Sequence, residues 1–227
     1  MLPPSGEQFE LRLGTQRAVV TEVGATLRRY SVAEQPILDG FGVEEMCTGA
    51  RGQPLLPWPN RIADGRYVFD GEQQLALTEP ATHHAIHGLV RWASFRVRQR
   101  GYDRVTLAHT LLPQPGYPFA LALEVAYRLE PRGLAGELRA HNLGSCRCPF
   151  GAGAPPYLVC GAPRVDEYVL EVPARTWIPT DERQVPLART PVEGSSFDFR
   201  SAHAIGSLHL YHAFTDLERG AGGIARV

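Results

Sequence analysis

The sequence contains no lysine, so all 23 of its basic residues are arginines. They are offset by 24 acidic residues, which leaves a formal net charge of −1. Nucleic acids and anionic membrane surfaces attract clustered positive charge, so neither is predicted as a partner. The chain also lacks an uncharged apolar run of about 18 residues, and it is therefore not predicted to span a membrane as a helix.

Cysteine is scarce, with four residues in the chain. The first residues lack a basic region followed by an apolar run, so no secretory signal is predicted and the expected location is the cytoplasm. In that compartment the cysteines are expected to be free thiols. Cys146 and Cys148 are close in sequence, but no second close pair completes a zinc site. Neither a metal nor another cofactor is predicted.

No segment carries a convincing helical stripe, and the chain reads instead as short strands separated by turns. Residues Gln8–Leu13 alternate polar and apolar side chains, which is typical of a half-buried strand. The 23 glycines and 19 prolines supply turn signals, among them Asp70-Gly71 and Pro163. This pattern predicts one all-β sandwich or barrel domain over residues 1–227. The predicted strands are 8–13, 17–23, 26–32, 66–69, 74–77, 94–99, 105–111, 120–129, 134–141, 168–172 and 176–179.

The segment Pro57-Trp58-Pro59-Asn60-Arg61 is the first candidate site. The two prolines restrict the backbone and present Asn60 and Arg61 in a defined place. Arginine offers a rigid fork of donors, and asparagine both donates and accepts, which suits vicinal sugar hydroxyls. A surface turn with a stabilising arginine is the alternative interpretation.

The segment Ala85-Ile86-His87-Gly88-Leu89 is the second candidate site. His87 stands beside a glycine, where a ligand could approach the backbone closely, and its imidazole could donate a hydrogen bond at neutral pH. A structural histidine at a strand end is the alternative. His83 and His87 have a spacing that suits metal binding on a helix, but their surroundings are loop and strand, so no zinc site is predicted.

Several blocks occur together in an order that resembles the aldose 1-epimerase (galactose mutarotase) family. The resemblance extends from about Leu11 onward and implies a large antiparallel β-sandwich, the galactose mutarotase-like supersandwich, with a sugar in an open cleft. The blocks are Asn60-Arg61-Ile62, Gly65–Gly71, Ile86-His87-Gly88, Phe150–Leu158, Asp181–Pro186, Phe197–Arg200 and Ala213–Leu217.

The resemblance also implies a reaction, the interconversion of the α and β anomers of a hexose. In the family a carboxylate base removes the anomeric proton while a histidine acid protonates the ring oxygen. Asn60 and Arg61 would hold sugar hydroxyls, and His87 would bind near the ring oxygen as the second of two cleft histidines. The implied partner is an aldohexose.

The sequence departs from the family at positions that carry the chemistry. Pro155 stands where the acid histidine is expected, and Tyr211 replaces a sugar-binding aspartate. The chain ends at Val227 before the segment of the catalytic glutamate. Weak or absent activity is therefore expected, with His87 as the remaining candidate acid and Glu124 or Glu137 as candidate bases.

The same ending leads us to expect that C-terminal strands are missing and that an uncovered sheet edge drives self-association. Three alternatives stay open on the sequence alone. They are a catalytically inactive carbohydrate-binding domain, a truncated fragment without selected function, and an active relative that takes a hexose phosphate.

Overall fold

A computed structural model describes residues 2–161 and 164–227, which separate into two compact units, one ending at Val159 and one running from Cys160 to Val227. The described residues contain strands and two 3₁₀ turns, Val165–Glu167 and Ala221–Gly223. No helix in this part of the chain is long and apolar enough to cross a membrane. The turn predicted at Pro163 lies outside the described residues, and the assignment of residues 1–227 to one domain stays a prediction.

The first sheet of the first unit is antiparallel, with its four strands in chain order. In its first strand Phe9 and Leu11 are buried while Glu10 and Arg12 are exposed, because successive side chains point to opposite faces of a sheet. The strands are β1 (Gln8–Leu13), β2 (Gln16–Thr21), β3 (Leu27–Val32) and β4 (Gln35–Pro36).

Four short strands follow and form two two-stranded ladders. They are β5 (Arg61–Ala63), β6 (Arg66–Val68), β7 (Glu72–Gln74) and β8 (His84–Ile86). β5 pairs with β8, and β6 pairs with β7 as a hairpin. The strand predicted at 74–77 is therefore wrong in its bounds. Asp70 and Gly71 turn the chain at positive φ, so the returning strand begins at Glu72.

The second sheet of this unit has the strand order β12-β11-β10-β9 and is antiparallel throughout. Every second side chain of its longest buried strand, from Leu121 to Leu129, lies in the core. The four strands are β9 (Arg96–Arg100), β10 (Arg104–Leu111), β11 (Leu121–Glu130) and β12 (Gly133–Asn142).

The two sheets pack face to face, with β1 against β10 and β11. Three polar side chains buried between them are paired, as burial requires. The Gln16 amide accepts a hydrogen bond from the Tyr30 hydroxyl at 2.8 Å and donates to the Glu130 carbonyl at 2.8 Å. The Tyr127 hydroxyl donates to the Ala25 carbonyl at 3.1 Å. The all-β sandwich predicted from the sequence is confirmed.

The second unit is built from five strands around a small core of Val172, Ala174 and Phe199. β13 pairs with β16, and β14 lies between β15 and β17. The side chain of Trp177 stacks on Phe197 with ring centroids 4.3 Å apart. The strands are β13 (Val169–Leu170), β14 (Ala174–Ile178), β15 (Thr190–Pro191), β16 (His203–Ala204) and β17 (Ala213–Leu217).

Truncation of the central core should destabilise the first unit strongly. Leu123 is fully buried on β11, so Leu123→Ala removes buried apolar surface and leaves a cavity. We expect the free energy of unfolding in urea to fall by about 2–5 kcal/mol. Leu112, 66% exposed, supplies the control, because Leu112→Ala should change it by less than about 0.5 kcal/mol. Equal effects of the two substitutions would contradict this description of the core.

Candidate functional site

The β5–β8 ladder brings the two candidate motifs together at one end. Arg61 pairs with Ile86, so Asn60, just before β5, stands opposite His87, just after β8. The Asn60 backbone N–H donates to His87 Nδ1 at 3.1 Å, and the His87 backbone N–H donates to the Asn60 carbonyl at 2.9 Å. Two motifs that are 27 residues apart in sequence thus form one hydrogen-bonded unit.

Both residues of this pair have left-handed backbone conformations, with φ of 57° at Asn60 and 64° at His87. Asparagine tolerates this region better than most residues, whereas histidine visits it less often. Such conformations persist where the surrounding structure imposes them, and they are concentrated at functional sites. The reciprocal hydrogen bonds supply that constraint here.

Gly88 allows the chain to pass close behind this pair. Its φ is 73°, and a Cβ at this position would lie 2.0 Å from the Leu56 carbonyl oxygen. The same carbonyl accepts a hydrogen bond from the Leu89 N–H at 2.8 Å. Only glycine fits this approach, which explains why a glycine follows His87.

The Gly151–Gly153 segment holds the proline-rich loop from its other side. The Gly151 N–H donates to the Pro57 carbonyl at 2.7 Å, and Leu55 and Gly153 exchange backbone hydrogen bonds at 2.8 and 3.1 Å. A Cβ on Gly153 would lie 2.7 Å from Pro59 Cβ. This motif of the sequence therefore positions the loop that carries Asn60.

Arg61 is fixed by a carboxylate that the sequence did not identify. Its Nε and Nη2 donate to the two carboxylate oxygens of Glu79 at 2.6 and 2.8 Å, and its Nη1 donates to Asn60 Oδ1 at 3.2 Å. The Arg61 side chain is 6% exposed, so little of it is open to a ligand. Since Asn60 Oδ1 faces Arg61, the Asn60 amide presents its NH₂ group to solvent.

The hydrogen bonds from Arg61 also affect the acid–base properties of Glu79. They hold the pKa of the Glu79 carboxyl below its usual range, and the Thr82 hydroxyl acts in the same direction. A carboxylate so stabilised is a poor proton acceptor at neutral pH.

His87 is a neutral imidazole at physiological pH. Burial, followed by the positive charges of Arg91 and Arg61, lowers its pKa from 6.5 to about 4. Its Nδ1 accepts the hydrogen bond from the Asn60 N–H, so the ring proton resides on Nε2. His87 is thereby suited to donate a hydrogen bond and poorly suited to release a proton.

Arg91 is the second residue of the site that sequence reasoning missed. Its guanidinium is half-buried and lies over the Trp92 ring at 5.7 Å. The only sequence signal for it is its position four residues after His87. For Glu79, the signal was a carboxylate shortly before the buried strand β8.

The candidate bases on the second sheet lie elsewhere. Glu124 and Glu137 line a shallow hollow of about 260 Å³ on the solvent face of β9–β12, and Asn60, Arg61 and His87 are not among its lining residues. Glu137 is moreover paired with Arg139 at 2.7 Å. The structure therefore does not bring either glutamate to the β5–β8 site.

The other positions singled out in the sequence have ordinary surroundings. Pro155 is half-buried, and its carbonyl accepts a hydrogen bond from the Gly52 N–H at 2.9 Å. Tyr211, in the second unit, is 62% exposed. Within residues 2–161 and 164–227, no group of three His, Cys, Asp or Glu side chains could hold a metal ion, and the four cysteines are free thiols.

The fold belongs to a known structural class. It matches the GalM/aldose epimerase homologue of Caenorhabditis elegans with a TM-score of 0.77 and 22% identity, over 88% of this chain and 65% of that one. It matches galactose 1-epimerase of Lactobacillus acidophilus with a TM-score of 0.76 and 22% identity, over 87% and 62%. The protein therefore has the galactose mutarotase-like β-sandwich fold.

Sequence comparison gives the family. Residues 7–219 match the aldose 1-epimerase family, and the chain belongs to it. The chain is 35% identical to the uncharacterized protein YihR of Escherichia coli over 92% of its own length and 69% of that protein. It is 28% identical to the aldose 1-epimerase of Escherichia coli over 92% and 65%. It thus spans about two thirds of the length of these relatives.

The electrostatics of His87 can be measured directly. We expect its Cε1–H resonance to titrate with a midpoint near pH 4, because burial and two arginines disfavour the imidazolium. His87→Asn identifies the resonance among those of the eight histidines, and asparagine tolerates the positive φ.

The same shift affects stability. In the unfolded chain His87 takes up a proton as the pH falls below about 6.5. In the folded chain it stays neutral until the pH falls to about 4. The free energy of unfolding of the wild type should therefore fall through this window by on the order of 3 kcal/mol more than that of His87→Asn. A titration midpoint near 6.5 would contradict this account of the site.

Proposed function

We propose that the Asn60–Arg61–His87 site binds a hexose. The observation that carries this proposal is the pair of fixed donors, the Asn60 amide oriented by Arg61 and the His87 Nε2–H set by its Nδ1 acceptor bond. Fixed, neutral donors suit sugar hydroxyl and ring oxygens, because they need neither a charge change nor reorganisation on binding. Membership of the aldose 1-epimerase family supports a sugar as the ligand.

The family resemblance implies the interconversion of α and β anomers as the reaction, and we expect this site to run it at a rate close to the uncatalysed one. His87 can polarise the ring oxygen by hydrogen bonding but resists protonation, and Glu79 is held by Arg61. Pro155 carries no titratable group where the resemblance places the acid. Loss of one general acid or base costs about 10²–10⁴ in rate. Binding is therefore the better supported function, and a cytoplasmic location stays a prediction.

A phosphorylated hexose is the second candidate ligand. Arg91 favours it, because its half-buried guanidinium offers the forked donors that suit a phosphate group. Its positive charge already acts on His87, so such a group would lie close to the proposed sugar site.

Binding can be tested by NMR titration of the protein with glucose or galactose. Arg61→Ala removes the group that orients Asn60 and leaves Glu79 without its partner, so affinity should fall about tenfold or more. Arg66→Ala is the matched control, since Arg66 lies on the neighbouring hairpin, is exposed, and bonds Gln74. Equal affinity in all three proteins would refute the proposed site.

The same titration with a hexose 6-phosphate distinguishes the two ligands. Tighter binding that weakens with salt and is lost in Arg91→Gln would identify the phosphorylated sugar. Equal affinity for both compounds would identify the neutral hexose. In either case the amide signals of Asn60, Arg61 and His87 should shift with saturation.

A further inference from the structure

The strand β12 presents a long open edge. Within the described residues it pairs only with β11. The Leu143 N–H donates to the Ala120 carbonyl at 2.9 Å, and hydrogen-bonded residues alternate along an antiparallel ladder. The odd-numbered residues of β12 therefore bond to β11. The N–H and C=O groups of the even-numbered residues point outward; these are Leu134, Gly136, Leu138, Ala140 and Asn142.

Two opposite charges flank the middle of this edge. Glu137 and Arg139 lie on the same face of β12, with side chains 56% and 66% exposed. The Arg139 guanidinium donates to both Glu137 carboxylate oxygens, at 2.7 and 2.9 Å. Leu138, between them, is half-buried against the core. The edge therefore carries one acid and one base, symmetrically placed about Leu138.

We propose that β12 is an interface at which a second copy of this chain adds its own β12 in antiparallel orientation. A two-fold axis through Leu138 places Glu137 of each copy opposite Arg139 of the other. Leu138 of one copy then exchanges backbone hydrogen bonds with Leu138 of the other. The Glu137–Arg139 pairs between the copies fall at non-hydrogen-bonded positions, where facing side chains are closest. A two-fold axis through Glu137 or Arg139 would instead place that residue opposite its own copy, so that two identical charges face each other. The charges therefore also select the register of the two β12 strands.

The opposite edge of the same sheet explains why β12 is the edge that pairs. Strand β9 is exposed along its whole length and carries Arg96, Arg98 and Arg100, and its register with β10 shifts at a bulge between Thr106 and Leu107. Two copies of β9 would bring arginines together, and like charges on an edge prevent strand addition. The bulge further hinders strand addition at this edge, whether by a second β9 or by β12. Because each copy has one edge that pairs, association through β12 stops at two copies. The dimer has one continuous eight-stranded sheet, with four strands from each copy.

Charge reversal tests this interface by sedimentation velocity or light scattering over about 1 µM to 1 mM. In a dimer of the Glu137→Arg variant, an arginine at position 137 of each copy faces Arg139 of the other. In a dimer of the Arg139→Glu variant, Glu137 of each copy faces a glutamate at position 139 of the other. Each substitution should weaken dimerisation about tenfold or more, because two attractive pairs become repulsive. Arg29→Glu is the control and should leave the dimer unchanged, because Arg29 is exposed on β3, an inner strand of the other sheet.

A mixture gives the most specific result. When the Glu137→Arg and Arg139→Glu proteins are combined, each opposing pair again contains one acid and one base. We expect a heterodimer of wild-type affinity from two proteins that do not dimerise alone. A wild-type chain that stays monomeric over this range would overturn the proposal. So would dimers that survive both reversals, or a mixture that stays monomeric. Sugar binding at the β5–β8 site takes no part in this test.

Discussion

The candidate site depends on the reciprocal hydrogen bonds between Asn60 and His87. Each residue alone has an unfavourable backbone conformation, and each holds the other in it at the end of the β5–β8 ladder. The approach of Gly88 to the Leu56 carbonyl and the packing of Gly153 on Pro59 place the chain so that these bonds can form. The glycines and prolines of the motifs thus build a frame, and the polar side chains between them become available to a ligand.

This frame also sets the charge state of the site. Nδ1 of His87 is occupied by a backbone donor, and two arginines oppose protonation of the ring. The Glu79 carboxylate is paired with the Arg61 guanidinium. What results is a set of oriented donors with a positive potential, in which the His87 imidazole is neutral near pH 7. Such a set stabilises bound hydroxyls or a phosphate more readily than it moves protons.

Sequence patterns predicted the fold where strands were long enough to show a period. The alternation in 8–13, 105–111, 120–129 and 134–141 corresponds to β1, β10, β11 and β12 within one or two residues. β5 and β8, with three residues each, are too short to show alternation, and they were missed although they build the site. Asn60, Arg61 and His87 were found through composition and family resemblance, and their roles stay predictions.

Glu79 and Arg91 have only weak signals in the sequence, because their importance lies in contacts made across the fold. The Glu79–Arg61 pair joins residues 18 positions apart through a short strand pairing that no local pattern announces. The depressed pKa of His87 likewise arises from burial and from two charges brought near it. Local sequence shows which groups are available for chemistry, and only the packing shows which charge state they adopt.

The central claim is that this site holds a sugar with fixed donors and has little capacity for proton transfer. Mutarotation of fresh α-glucose or α-galactose, followed by polarimetry against a protein-free control, tests it most directly. At protein concentrations that bind the sugar by NMR, the account predicts a rate close to the uncatalysed one, flat between pH 6 and 8 apart from the solvent reaction. Robust acceleration proportional to protein concentration and lost in His87→Asn would contradict it, because His87 would then be acting as the proton donor that its surroundings disfavour.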